Sequence, residues 1–256
     1  MNSLIQKRIH KIKKTVSKNI ILNNRSIKFK NFYDADCVAV FPEIKVCFNR
    51  IKKSGNTSVC AYLSEICRYN LENDTNTMKQ QILRPQDLSI LDLIKIRSYS
   101  SLVVARNPYT RALSAFLDKV APGTNETLSQ FVGHVTPTAE GFVYFLNQLV
   151  SKGMPADRHV WRQVDLLYQP IENFSFVAKL ETLSTDLTVF FEQIGVHAQA
   201  SQSFEEPHAI ERAEAGKITN APRKLAQYYT RASVQLVEKI YKDDFQTFGY
   251  PFGINI

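Results

Sequence analysis

The sequence predicts an α/β fold of three layers, in which helices cover both faces of a central, mostly parallel sheet. Short apolar runs of strand type alternate along the chain with longer stretches in which apolar residues recur at helical spacing. Such alternation favours parallel strands that are joined by helices and buried on both faces. The chain has 256 residues, of which 44% are hydrophobic, and this fits one domain, which we place at residues 31–256.

The first predicted strand, loop and helix lie between residues 44 and 66. An apolar run over 44–51 leads into a loop with one Gly, and apolar residues then recur at helical spacing. This geometry is typical of phosphate sites, because the unpaired N–H groups of the first helical turn point at the anion. Gly55 lets the backbone come close, and Lys53 adds a positive charge. The pattern is not a Walker A motif, which has its Lys after the second Gly, so an ATP-hydrolysing engine is disfavoured.

The second predicted unit runs from a short buried strand at 101–106, through a turn at Asn107, into a helix at 109–120. Pro108 suits the first helical position, where its missing N–H would have no partner anyway. Arg106 then lies at the carboxyl end of a strand, where open α/β sheets bind their ligands. Ser114 lies about two turns into the helix and can offer a hydroxyl to the same anion.

Further elements follow from apolar spacing and from helix stop signals. We predict helices at 87–97, 128–134, 138–149, 183–194 and 221–241, and a strand at 174–180. Gly195, just past the last periodic residue, is a helix stop signal. The polar stretch at 198–222 is expected to form a loop.

Together the two loops resemble the phosphate-binding segments of the sulfotransferases that use 3'-phosphoadenosine-5'-phosphosulfate (PAPS), particularly the carbohydrate branch. The 5'-phosphosulfate loop of that family commonly reads R-x-P-K-[ST]-[GA]-S-T-S. Residues 50–58 match it, except that Lys52 replaces Pro and Asn56 replaces the first Ser. The 3'-phosphate segment of the family, R-[DN]-P-[FY]-x-R-x-x-S-[AY]-[FY], is matched in register by residues 106–116.

Two later segments extend the resemblance, which spans roughly 45–250 in order. Asp157, His159 and Trp161, with residues 174–183, resemble the D-x-H-W and F-V-x-K-x-E-T-L region of the family. Residues 241–250 resemble its closing Y-x-x-D-F-x-x-F-G-Y. Any one segment alone would describe an ordinary turn or helix end, and the interpretation depends on their occurrence together in order.

The resemblance implies a P-loop-like sulfotransferase fold and transfer of a sulfuryl group from PAPS to a hydroxyl of a polysaccharide or glycolipid. The product would be 3'-phosphoadenosine-5'-phosphate (PAP), and no metal is required. Lys53 would stabilise the leaving oxygen. Expected donor-binding residues are Arg50, Lys53, Ser54, Gly55, Asn56, Thr57 and Ser58 at the 5' end, with Arg106 and Ser114 at the 3'-phosphate.

The candidate general base is His159, in the family-like segment, although it could equally position substrate. The sequence has no His between residues 11 and 133, so a base in that interval would be a carboxylate. The carboxylate alternatives are Glu65, Glu72, Asp87 and Asp92.

Two rival functions stay open. The first is a small-molecule kinase that binds ATP with Mg²⁺ through an atypical phosphate loop. The second is an inactive module that binds nucleotide or anionic glycan, which the departures at Lys52 and Asn56 support.

The charge of the chain is concentrated at its start. Residues 1–30 hold nine Lys and Arg and no acidic residue, which leaves 23 basic and 24 acidic residues elsewhere. Ile5, Ile9, Ile12, Val16 and Ile20 recur at helical spacing and predict a basic amphipathic helix. Its apolar face either docks on the domain or, through residues 1–22, contacts an anionic membrane that carries lipid-linked glycan acceptors. Nucleic-acid binding is disfavoured, because no further basic stripe follows.

Location is inferred from what the sequence lacks. There is no apolar run near the ~20 residues of a membrane span and no secretory leader pattern. The four cysteines, at 37, 47, 60 and 67, show no metal-site spacing and are expected to be buried free thiols in a reducing compartment. Since Golgi members of the family carry an anchor, we expect a cytoplasmic enzyme, peripheral to the membrane at most, or a chain from which an anchor was removed.

Overall fold

The computed structural model describes residues 27–34, 36–68, 81–196 and 219–254, together with positions 11, 14, 15 and 18. Most of the predicted N-terminal amphipathic helix lies outside the described residues. So does most of the predicted polar loop at 198–222. Among the described helices, none combines the length and the apolar character needed to cross a membrane.

A four-stranded sheet forms the centre of the fold, with its strands adjacent in chain order. The strands are β1 (Val38–Phe41), β2 (Val46–Asn49), β3 (Ser100–Ala105) and β4 (Phe176–Lys179). Strands β2, β3 and β4 are parallel, and β1 joins β2 as an antiparallel hairpin. The mostly parallel sheet is therefore confirmed, whereas β1 was not predicted. The register pairs Asn49 with Val103, so β2 and β3 end close together.

Helices surround the sheet. In the described part of the chain they are α1 (Phe29–Phe32), α2 (Asn56–Ile66), α3 (Ile90–Lys95), α4 (Pro108–Ala115), α5 (Glu126–Val132), α6 (Ala139–Lys152), α7 (Leu183–Gln193), α8 (Leu225–Tyr228), α9 (Arg231–Ile240) and α10 (Lys242–Phe248).

Both faces of the sheet are buried, which confirms the three-layer prediction. Alternate strand residues point to opposite faces, as the period of a strand requires. Val103, on one face, belongs to a core that includes Phe116 and Phe145, beside helices α4 and α6. Leu102, on the other face, belongs to a core built with α2 and α7, which includes Phe190.

Three predicted helices differ from those in the structure, two of them because of local capping. The predicted continuous helix at 221–241 is wrong. It breaks at Tyr229, which is extended, and Thr230 then starts α9 with a reciprocal capping box to Ser233. The helix predicted at 109–120 gives way after Ala115 to a π-helical turn over Phe116–Val120. The helix predicted from residue 87 begins at Ile90, because the Ser89 side chain accepts from the Asp92 N–H.

All four cysteines are free thiols, as predicted. Cys37, Cys47 and Cys60 are buried, and Cys67 is partly exposed. Burial raises the pKa of the Cys37 thiol to about 11 and that of Cys47 to about 12. These thiols are therefore protonated and inert at neutral pH.

Candidate functional site

The two predicted anion loops are in direct contact. Each loop begins where a parallel strand ends, and β2 and β3 are neighbours in the sheet. Arg106 Nη1 donates a hydrogen bond of 3.0 Å to the Lys53 carbonyl oxygen. Arg106 Nε donates to Thr110 Oγ1, also at 3.0 Å, which fixes the guanidinium against the first turn of α4. The fold thus places Lys53 and Arg106 on one surface.

The glycine of the first loop holds a conformation that other residues rarely adopt. Gly55 has φ +68° and stands at the N-cap of α2. A β-carbon there would lie 2.6 Å from Leu180 Cδ1, well inside contact distance. No N-cap side chain accepts from the first-turn N–H groups of α2. Those groups and the positive end of the helix dipole make this turn suited to an anion.

Arg50 and Asn56 are joined within the first loop. The Arg50 side chain is almost fully buried, at 4% exposure, and its Nε donates to Asn56 Oδ1 at 3.0 Å. Asn56 is one of the two departures from the family pattern, and in this chain its amide oxygen orients the arginine. Thr57 and Ser58 follow in the first turn of α2, both partly exposed.

A buried glutamine that the sequence analysis missed connects the two loops. Gln163 has no exposed surface. Its Oε1 accepts from Ser54 Oγ at 3.1 Å and from the Arg106 N–H at 2.9 Å, while its Nε2 donates to the Arg106 carbonyl at 2.8 Å. The Ser54 hydroxyl, predicted as a phosphate ligand, therefore serves the link between the loops. The Gln163 N–H in turn donates to Asp244.

Lys53 lies against a carboxylate that the sequence analysis also missed. Its Nζ is 3.0 Å from Asp118 Oδ2, and the two side chains are only 16% and 14% exposed. Asp118 also pairs with Lys119 at 3.2 Å. Burial lowers the pKa of Lys53 although Asp118 opposes the shift. Burial alone would raise the pKa of Asp118, but the two lysines outweigh it and the pKa is lowered.

Ser114 lies on the same side of α4 as Thr110, four residues earlier, and Thr110 is the residue to which Arg106 Nε donates. It is buried, and its Oγ accepts from Thr219 Oγ1 at 3.2 Å. The 3'-phosphate assignment of Ser114 stays a prediction. The shared helix face with Thr110 supports this assignment, although the Ser114 hydroxyl already accepts a hydrogen bond from Thr219.

His159 is oriented by a carboxylate. Its Nδ1 is 2.8 Å from Asp157 Oδ1, and the same oxygen accepts from the His159 N–H at 2.7 Å. Asn125 donates to the other oxygen of Asp157 at 2.7 Å. Burial opposes ionisation of Asp157, but these hydrogen bonds prevail and hold its pKa at about 2. A carboxylate on Nδ1 leaves Nε2 as the nitrogen that can accept a proton.

His159 also lines a cavity of about 280 Å³ next to the first loop. The other lining residues are Asp36, Lys52, Thr127, Ala156, Asp157 and Arg158. Fully buried Arg111 connects this cavity wall to the loop. Its Nε donates to the Lys52 carbonyl at 3.0 Å, and its Nη1 donates to the Trp161 carbonyl at 2.7 Å. The cavity therefore opens beside the residue that precedes Lys53.

The remaining segments of the sequence resemblance also meet at this site. Glu181 accepts from the Asn107 N–H and from the Tyr250 hydroxyl, both at 2.8 Å. Asp244 accepts from the Gln163 and Val164 N–H groups at 2.8 and 3.0 Å. The four segments, distant in sequence, thus form one connected set of hydrogen bonds.

Comparison with known proteins agrees with this geometry. A family model described as the Sulfotransferase family matches residues 37–251. The chain belongs to the sulfotransferase family. No solved structure matches it.

Three relatives in this family are named carbohydrate sulfotransferases. Carbohydrate sulfotransferase 9 of Homo sapiens is 27% identical over 174 residues, which are 61% of this chain and 38% of the relative. Carbohydrate sulfotransferase 12 of Xenopus laevis is 25% identical over 185 residues, 62% of this chain and 41% of the relative. The protein of the same name from Mus musculus is 26% identical over 190 residues, which are 64% of this chain and 43% of the relative. The matched segments thus span only about two-fifths of these relatives.

Proposed function

We propose that this protein transfers a sulfuryl group from PAPS to a hydroxyl group of a carbohydrate. The observation that carries the proposal is the hydrogen bond from Arg106 to the Lys53 carbonyl, which joins two anion-binding loops. A donor with phosphates at two separate positions needs two such loops within the length of one nucleotide. Membership of the sulfotransferase family and relatives named carbohydrate sulfotransferases support the reaction and the acceptor class.

The residues present fit the donor. Gly55 lets the loop turn through positive φ against Leu180, and the N–H groups of the first turn of α2 are oriented for the 5' end. Arg50, Thr57 and Ser58 complete that end, and Arg106 with Ser114 would hold the 3'-phosphate. When bound, PAPS supplies an activated sulfuryl group whose phosphate leaving group takes up negative charge.

Lys53 would stabilise that charge. Its ammonium group lies in a buried position, where an electrostatic contact is worth more than in water. Asp118 keeps the ammonium group charged against the cost of burial and holds it near the loop. Positioning and charge stabilisation, rather than covalent chemistry by the protein, then account for the rate, as in phosphoryl transfer.

His159 would take the proton of the acceptor hydroxyl. Asp157 fixes Nδ1 and stabilises the imidazolium that forms when Nε2 gains the proton. His159 lines the cavity beside Lys52, so an acceptor in that cavity would have the base on one side and the donor loop on the other. The alternative carboxylates Asp87 and Asp92 lie on or just before helix α3, outside the contacts that build this site.

A thermal-shift screen with PAP, PAPS and Mg-ATP tests the proposal against its rivals. We expect PAP to raise the melting temperature without added metal, since the two anion loops contact its two phosphate ends. A response only to Mg-ATP would instead support a kinase. Transfer of sulfate from radiolabelled PAPS to a panel of glycans distinguishes an enzyme from an inactive module that binds PAP. No transfer to any glycan would contradict the proposed activity.

A further inference from the structure

The cavity beside the first loop contains an ion pair in which one partner departs from the family pattern. Lys52 stands where the family pattern has Pro, and its side chain lines the cavity together with Asp36. Lys52 Nζ and Asp36 Oδ2 are 3.6 Å apart. The side chain of Lys52 is only 18% exposed, so this cation forms part of the cavity wall.

Each basic side chain that is described in the wall has a carboxylate partner. Lys52 pairs with Asp36, and His159 pairs with Asp157 at 2.8 Å. Arg158 pairs with Asp34 at 2.7 Å. Asp34 is not itself in the lining, but with it three carboxylates pair with three basic side chains, so the lining together with its partners carries no net positive charge. A donor bound in the adjacent loop would add further negative charge.

We propose that this cavity binds one uncharged sugar residue of the acceptor and disfavours a sugar that carries a carboxylate or sulfate. The inference deepens the proposed function, on which it rests, by naming the class of acceptor. Paired charges offer hydroxyl groups both donors and acceptors, whereas a sugar anion would have to displace Asp36 from Lys52 or approach Asp157. A volume of about 280 Å³ limits the occupant to a small group such as one sugar ring.

The test uses matched sugars that differ only at carbon 6. Methyl galactoside and methyl galacturonide, and the corresponding glucoside and glucuronide, are titrated into the protein mixed with PAP. The methyl group of Ala156, which lines the cavity, is followed by NMR as a local reporter. We expect at least one neutral glycoside to shift this signal, with an affinity at least fivefold higher than that of its uronide.

Two variants locate the cause of the selectivity. Asp36→Asn leaves Lys52 without its carboxylate and should reduce the neutral-to-uronide ratio below twofold. Asp92→Asn is the control, since Asp92 also pairs with a lysine, Lys95 at 3.3 Å, but lies outside the cavity, and it should leave the ratio unchanged. A ratio that Asp36→Asn does not change would contradict the role of the Lys52–Asp36 pair.

The proposal is overturned if a uronide binds as tightly as its neutral partner, or if neither sugar moves the Ala156 signal. The titration measures sugar binding rather than turnover, so it tests the proposal without a transfer assay. Failure of the proposed function would be seen separately, as absence of PAP stabilisation and of sulfate transfer to the glycan panel.

Discussion

Gln163 offers a direct test of the idea that the two anion loops work as one unit. Replacing it with Leu keeps most of the side-chain volume but removes all three side-chain hydrogen bonds. The Ser54 hydroxyl and both main-chain polar groups of Arg106 then lose their glutamine partner in a buried environment. At ~1–3 kcal/mol for each unpaired group, a loss of about 3 kcal/mol of stability is a conservative expectation.

Gln163→Leu should weaken PAP binding by more than its loss of folding stability alone would explain. Without Gln163, the main chain of Arg106 is no longer tied to Ser54 of the first loop, so the guanidinium is held less rigidly and its charge-assisted bond to the 3'-phosphate weakens. A bond of that kind is worth ~1.5–3 kcal/mol, so PAP affinity should fall at least tenfold, which equals about 1.4 kcal/mol. Isothermal titration calorimetry, run at a temperature at which each variant is shown to be folded, measures this change.

Gln169 provides the matched control. It is another buried glutamine, and its Nε2 donates to Ser101 Oγ at 3.1 Å and to the Asn173 carbonyl at 2.9 Å, away from both loops. Gln169→Leu should lower the melting temperature but leave PAP affinity within twofold. If both variants lost affinity equally, the loss would reflect global instability. If Gln163→Leu kept wild-type affinity, the coupling of the loops would be refuted.

Four further predictions concern individual groups of the site. Lys53→Ala should reduce sulfate transfer by about 10² or more while PAP affinity, measured by calorimetry, stays within threefold. Arg106→Ala should weaken PAP about 10- to 100-fold but leave adenosine 5'-phosphosulfate, which lacks the 3'-phosphate, within threefold; unchanged PAP affinity would remove Arg106 from the 3'-phosphate site. His159→Gln should lower the transfer rate by about 10²–10⁴ and Asp157→Asn by less, both with normal PAP binding, and normal turnover in His159→Gln would exclude it as the base. Burial holds the pKa of Asp244 at about 6, above the unfolded value, so the native state keeps its proton to higher pH than the unfolded chain. The stability of the wild type relative to Asp244→Asn should therefore fall by up to about 3 kcal/mol as pH rises from about 4 to 6, which urea unfolding at both pH values measures.

The parts of the site that could be predicted from sequence are those set by local chemistry. Gly55 is needed because the loop turns through positive φ against Leu180, and Pro108 starts α4 where no N–H is required. Such requirements act within a few residues and leave a readable pattern. The placement of the two loops side by side followed from the rule that parallel strands end at one edge of the sheet.

The missed residues act over long sequence separations. Gln163 and Ser54 are 109 positions apart, and Asp118 and Lys53 are 65 apart. No spacing rule connects such pairs, since they meet only after the sheet and its helices have formed. The boundary errors are different in kind, because Ser89 and Thr230 are capping residues that the sequence displays. Apolar periodicity outweighed those signals in the prediction.

Arg111 lies between the cavity that we propose for the acceptor and the loop that we propose for the donor. Both of its described hydrogen bonds go to main-chain carbonyls, those of Lys52 and Trp161, so they do not depend on the side chain at either position. Arg111 is fully buried, and a carbonyl oxygen without a hydrogen-bond partner in that environment would cost free energy. Both hydrogen bonds therefore contribute more to stability than they would at the surface. Position 52 can therefore hold Lys in this chain and Pro in the family pattern without moving the backbone of Lys53. Under the proposed function, the side chain of Lys52 in the acceptor cavity is thus separated from the main chain that orients Lys53, so acceptor selectivity can change while the transfer chemistry is kept.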